Sequence, residues 1–191
     1  MTEPRTTISS SPVRADAPAT VVVWDWPLRL YHCTLAASVL IAWFTPNIYD
    51  TVHRIAGYTV LGLIAFRLVW GFAGTRYSRF RSFIRLLRAT PGFLWGLRRG
   101  QTGRYLGLNP AGAAMSVTLL VLLAVSAISG WMQVTVRFFG VAWVEDLHTY
   151  SSDLVMILVI VHVLGVLTMC VLQRENLVGA MITGRKRDRG D

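Results

Sequence analysis

The stretch VEDLHTYSSDLVMILVIVHVLGVL, residues 144–167, is an almost unbroken apolar run that nevertheless keeps two imidazoles, His148 and His162. Fourteen residues rise about 21 Å along a helix and complete nearly four turns, so both rings leave one face at different depths. One such helix offers two stacked ligands. The other two histidines, His32 and His53, also lie within or beside apolar runs, so none of the four is placed in a polar loop. A lone histidine in such a setting is commonly a packing or hydrogen-bonding residue. Four that sort by depth ask for a common purpose.

The elements that must carry them follow from composition. The 191 residues are 53% hydrophobic and only 15% charged, yet the formal net charge is +9. Mean hydropathy is +0.48. A soluble domain rarely combines these, whereas a membrane protein does. Spans of roughly 17–25 apolar residues cross a bilayer as helices, because a helix satisfies its own backbone hydrogen bonds in hydrocarbon. Four are expected, at about 27–45, 54–73, 111–132 and 148–173. Asp25 with Pro27, and Asn109 with Pro110, supply start signals for the first and third. Trp24 and Trp26 suit one membrane interface, and Trp43 and Phe44 the other.

Residues 1–20 carry no apolar core or signal-peptide h-region and are expected as a disordered tail. Residues 21–175 form the membrane domain, and 176–191 a basic tail. The expected class is thus an all-α integral membrane protein, a four-helix bundle. Basic residues mark one side: Arg5, Arg14 and Arg29 on the N-terminal flank, Arg76, Arg79, Arg81, Arg85, Arg88, Arg98, Arg99 and Arg104 between spans two and three, and Arg174, Arg185, Lys186, Arg187 and Arg189 after span four. The opposite loops hold Arg54 and Arg137 against Asp50, Glu145 and Asp146. Both termini are therefore cytoplasmic by the positive-inside rule. Within the arginine-rich loop, SRFRSFIRLLR places Phe80, Phe83, Ile84 and Leu87 on one helical face, the pattern of a short amphipathic segment lying among lipid headgroups. Orientation accounts for the basic excess, so nucleic acid is not expected as a partner.

With that orientation, His53 and His148 begin inward-running spans and lie at the outer level. His32 sits about 18 Å below the outer end of span one, and His162 about 21 Å below His148. The histidines pair as His53 with His148 outside and His32 with His162 inside. Two imidazoles facing across a bundle core are the ligand set of a six-coordinate b-type haem, whereas zinc wants two further ligands that neither pair has. Gly57 follows His53 by four residues and Gly165 follows His162 by three, so each lies on its ligand's face without a side chain to block a macrocycle; packing between helices is the alternative use of such glycines. Arg67, fourteen residues after His53, is an intramembrane cation at the inner level, suited either to a haem propionate or to snorkelling toward headgroups. Arg29 is a second candidate for the inner haem and Arg54 one for the outer. Cys33 and Cys170 form no CxxC, CxxCH or zinc spacing and read as small apolar residues.

These motifs occur in order as VWDWPLRLYH, HRIAGY, FRLVWG, YLGLNPAGA and LHTYSSDLVMILVIVHVLG. Over residues 21–175 the chain resembles the bacterial cytochrome b561 family, which includes the di-haem cytochrome subunits of nickel-iron hydrogenases. The resemblance implies a four-helix bundle in the bacterial inner membrane with two haem b groups, helix four ligating both through His148 and His162, and His32 and His53 completing the sets. Family members often carry an aromatic residue where this chain has Cys33, a departure that touches packing around the inner haem.

The function implied is transmembrane electron transfer. Quinone, exchanged by family members, is the expected lipid-side partner, which would make the protein a quinone oxidoreductase. A soluble cytochrome, a dehydrogenase or hydrogenase subunit, or a small reductant such as superoxide suits the outer side, and a homodimer is compatible with the pattern. With no flavin or nicotinamide motif, the donor and acceptor must be other molecules. Two rivals stand beside this reading. A histidine-lined transporter of metal ions or protons would want carboxylates in the membrane, where Asp153 is the nearest candidate, and a membrane anchor subunit of a larger redox complex would need none of the histidines.

Overall fold

The computed structural model describes residues 20–46, 48–73, 80–100, 105 and 107–187. The expected disordered tail lies almost wholly outside them, as do Arg5, Arg14, Arg76, Arg79, Arg104 and Arg189. Among the described residues the elements run β1 (Thr20–Val22), α1 (Trp26–Phe44), α2 (Asp50–Ala73), α3 (Phe80–Arg98), α4 (Pro110–Gln133), α5 (Ala142–Gln173), α6 (Leu177–Thr183) and β2 (Arg185–Arg187). Helices α1, α2, α4 and α5 are long and apolar enough to span a membrane.

The helix ends have local causes. Asp25 accepts the Leu28 amide at 3.0 Å, with Pro27 in the first turn of α1. Asn109 accepts the Gly112 amide at 2.7 Å, with Pro110 opening α4. Both caps fall where the sequence places them. Helix α2 starts three residues before His53, its first turn closed by a 3.0 Å ion pair between Asp50 and Arg54. Helix α5 starts at Ala142, six residues before the expected start, because the polar Glu145 and Asp146 interrupt the apolar run without interrupting the helix. Its 32 residues reach about 48 Å, more than the roughly 30 Å hydrocarbon core.

Helix α5 packs on α4, α4 also on α2 and α3, and α2 on α1. Val60 and Ile64 of α2, Leu123 of α4 and Val155 of α5 form the core cluster, flanked by Leu35, Val39 and Val159. Small residues let the helices approach: Ala113, Ser129 and Ser151 are almost fully enclosed. Much of the apolar surface faces outward instead, including Ile160, Leu164 and Leu167 of α5. Lipid is the solvent that such a surface fits.

The segment after α5 is more ordered than a basic tail. Arg174 closes α5 in the left-handed region at φ 50°, Asn176 caps α6 by accepting the Gly179 amide at 2.7 Å, and the Cys170 thiol accepts the Leu177 amide at 3.3 Å. β2 then pairs antiparallel with β1, Thr20 opposite Arg187 and Val22 opposite Arg185. Both flanks of the bundle thus meet at one end, as an even number of spans demands. The hinge is Gly184, at φ 79°, whose carbonyl accepts the Val23 amide at 2.9 Å and where a Cβ would stand 2.8 Å from the Trp24 carbonyl oxygen. Gly184→Ala should therefore destabilise this sheet by about 1–2 kcal/mol, the cost of a left-handed L-residue. Hydrogen exchange should rise at residues 20–24 and 184–187 while α4 stays protected; unchanged exchange there would contradict the hinge role.

Candidate functional site

The four histidines share one burial signature. Each is half-buried, and His53, His148 and His162 have exposed residues on both sides in sequence. Their helices turn them inward.

At the outer level the geometry is specific. The His53 and His148 rings lie with centroids 6.1 Å apart and planes at 90°. His53 Nδ1 is 2.8 Å from the Ala42 carbonyl oxygen at the end of α1, and His148 Nδ1 is 2.8 Å from the Ser126 carbonyl oxygen on α4. A carbonyl only accepts, so each Nδ1 carries the proton and each Nε2 keeps its lone pair. The Ala42 carbonyl is available because Thr45 and Pro46 end α1, and a proline four residues on has no amide to fill it. Ser126 also joins α4 to α5 through its hydroxyl, 2.7 Å from that of Ser152.

At the inner level His32 of α1 and His162 of α5 lie within electrostatic reach of each other. Arg67 is close by in depth, only 6% exposed, within electrostatic reach of Tyr31 and Asp25. Phe66 stacks on Trp70 at 5.5 Å and meets Tyr31 at 6.0 Å, walling this end.

The other singled-out residues divide. Arg29 donates Nε to the Met181 carbonyl at 3.2 Å and Nη2 to the Ile182 carbonyl, closing the C-terminus of α6. Arg54 is held by Asp50. Neither is gathered to a histidine pair by these contacts. At Gly57 and Gly165 a Cβ would meet no protein atom within 4 Å, so these glycines do not serve close helix packing. Gly130 is the opposite case, since a Cβ there would stand 2.9 Å from His148 Cε1. Sequence spacing passed over Gly130 because no ligand lies on its own helix. The acceptor carbonyls of Ala42 and Ser126 left no side-chain signal, although Pro46 marks the first.

Three of the four helices long and apolar enough to span a membrane carry the histidines, and in the His53 and His148 pair one nitrogen of each ring is held by a backbone carbonyl, an arrangement that suits a membrane haem protein. The chain belongs to the prokaryotic cytochrome b561 family, whose model matches residues 23–184. Members are haem b proteins of transmembrane electron transfer. No curated protein and no solved structure matches the chain.

The residues suit that group. His53 and His148, with ring centroids 6.1 Å apart, would hold such a group between them, each supplying an imidazole nitrogen. A histidine ligand normally donates its second ring nitrogen to a carbonyl, as both do here. The space beside Gly57 makes a direct test. Gly57→Leu should lower haem content per chain at least severalfold while the protein still inserts, read by pyridine haemochrome against protein mass; full loading would mean that the macrocycle lies elsewhere.

Proposed function

We propose that the protein holds two haem b groups, one between His53 and His148 and one between His32 and His162, and carries electrons across a bacterial inner membrane. The observation that carries this reading is the outer pair: two rings at 6.1 Å, each with Nδ1 hydrogen-bonded to a backbone carbonyl. Haem b supplies a one-electron iron couple when bound. The chain's own contribution is to fix the ligand tautomers, exclude water with apolar helices and set the charge around each site. Arg67, buried at the inner level, is placed to offset negative charge there, including that of a propionate.

The arginine-rich end is cytoplasmic in this reading, because the flanks of β1 and β2 and the α2–α4 connection all carry that excess. Helix α3 lies among the headgroups: Ile84, Leu94 and Trp95 are exposed apolar residues between arginines, and Arg99 sits over the Trp95 ring at 5.0 Å. Thr90 Oγ1 donates to the Pro110 carbonyl at 3.0 Å, anchoring α3 to the start of α4. Quinone is the lipid-side partner and a soluble cytochrome, a dehydrogenase or hydrogenase subunit, or superoxide the outer one. The transporter reading loses its carboxylate, because Asp153 faces outward from α5.

Purified protein should be red and give two haems per chain by pyridine haemochrome; a folded, colourless chain would sink the proposal. His53→Ala or His148→Ala should remove the outer haem or make it high-spin, and His32→Ala or His162→Ala should do so to the inner one. EPR with redox titration distinguishes the two centres. Loss of the same centre from the His53 and His162 variants would refute the pairing.

Arg67 gives a signed prediction. A cation favours the reduced haem, which carries one more negative charge, so it raises the midpoint potential. Arg67→Gln should then lower the inner midpoint by tens of millivolts, a tenfold change in a one-electron equilibrium being about 59 mV. An inner potential that does not move, with both haems present, would leave Arg67 as a structural partner of the α1 start.

A further inference from the structure

The outer level contains a detail that ligation alone does not require. The Ser126 carbonyl that accepts from His148 lies inside α4, where the amide of residue 130 is its regular helical donor. Ser129 adds a third claim: its hydroxyl lies 3.0 Å from that oxygen and 2.8 Å from the Val125 carbonyl oxygen. The imidazole can reach so crowded an acceptor only because residue 130 is glycine, a Cβ there lying 3.0 Å from His148 Nδ1. On the other side of the site, Ala42 sits in the last turn of α1 with Pro46 after it, so its carbonyl has no helical donor to share with His53.

Hydrogen bonds of this kind have an electronic effect. A ring N–H held by a carbonyl makes the opposite nitrogen a more basic ligand, which stabilises the oxidised iron and lowers the midpoint potential. Both outer rings are held in this way, whereas among the described residues neither His32 nor His162 makes a ring hydrogen bond.

Resting on the ligand pairing given above, we propose that Gly130 and Ser129 are positioning residues that set the strength of the His148 to Ser126 hydrogen bond, and that this bond, with that of His53 to Ala42, makes the outer site the lower-potential of the two. Gly130 admits the ring to the carbonyl. Ser129 trims the bond, because its single proton is divided between two carbonyls and whatever falls on Ser126 weakens the hold on His148. The order of potentials favours electron flow from the outer level to the inner.

Potentiometric titration of the haem-loaded full chain tests this. The outer centre, identified by its loss in His148→Ala, should titrate below the inner one. Ser129→Ala should lower it further, by a few-fold in the reduction equilibrium, without moving the inner centre. Ser129→Cys, with a weaker donor in nearly the same volume, should act in the same direction and serves if the alanine variant does not assemble. Thr118→Val removes the same type of helix bond, Thr118 Oγ1 to the Ala114 carbonyl at 3.0 Å, on an exposed face of α4 and should move neither centre. Gly130→Ala should alter the low-spin EPR signal of the outer site alone. An outer centre of higher potential than the inner, or a Ser129 variant that leaves the outer potential in place or shifts both centres equally, overturns this proposal while two loaded haems stand. Retention of both haems by the His53 and His148 variants would instead overturn the pairing on which it rests.

Discussion

An unpartnered polar N–H in an apolar environment costs several kcal/mol, and the rings of His53 and His148 each meet that cost with an acceptor inside the protein. An imidazole has two ring nitrogens, and the outer level meets this demand with one of them. His53 turns to a carbonyl that the end of α1 leaves open, and His148 to a carbonyl that glycine exposes on α4. Once the Nδ1 protons are committed to backbone, the tautomer is fixed and the remaining nitrogen of each ring is an electron-pair donor. The cost of burying a donor thereby becomes the means of fixing which nitrogen keeps its lone pair. The positions of α1 against α2 and of α4 against α5 follow from the same requirement, because each bond crosses between those helices.

The packing obeys a second economy of membrane proteins. With lipid outside, apolar side chains gain little by turning inward, so the enclosed set is small and includes Ala113, Ser129 and Ser151 at the helix contacts, while large residues such as Ile160 and Leu172 lie on the outside of α5. Serine at these contacts lets the helix backbones approach closely and carries a hydroxyl that must bond locally. Ser126, Ser129, Ser151 and Ser152 do so within about two turns of His148. The site and the α4–α5 contact are one construction.

What the sequence made legible was whatever depends on periodicity and depth. The four spans, the caps at Asp25 and Asn109, and the approach of His53 to His148 all follow from residue spacing on a 1.5 Å rise. Hydropathy could not find the first turns of α5, since Glu145 and Asp146 are polar but helix-compatible. Helix α6 and the two short strands were hidden for another reason: seven and three residues are too few to hold their shape alone, and tertiary contacts with Arg29 and Trp24 supply the difference. Gly130 was invisible because its importance lies in a ring borne by a different helix. Spacing alone singled out Arg29 and Arg54 as anion partners and could not show the contacts they make in the fold, Arg29 with the Met181 carbonyl and Arg54 with Asp50.

The small sheet at the arginine-rich end has a consequence for the order of assembly. β1 precedes every span and β2 follows them all, so the first strand is made long before the partner that completes it. Through the insertion of four helices the Thr20–Val22 segment must wait with its edge unpaired, and it can close only after α5 has crossed the membrane and α6 has folded. Registration of the two strands is thus a late event in biogenesis. It holds the ends of the bundle together only in a chain that has been translated through Arg187 and threaded with the correct number of crossings.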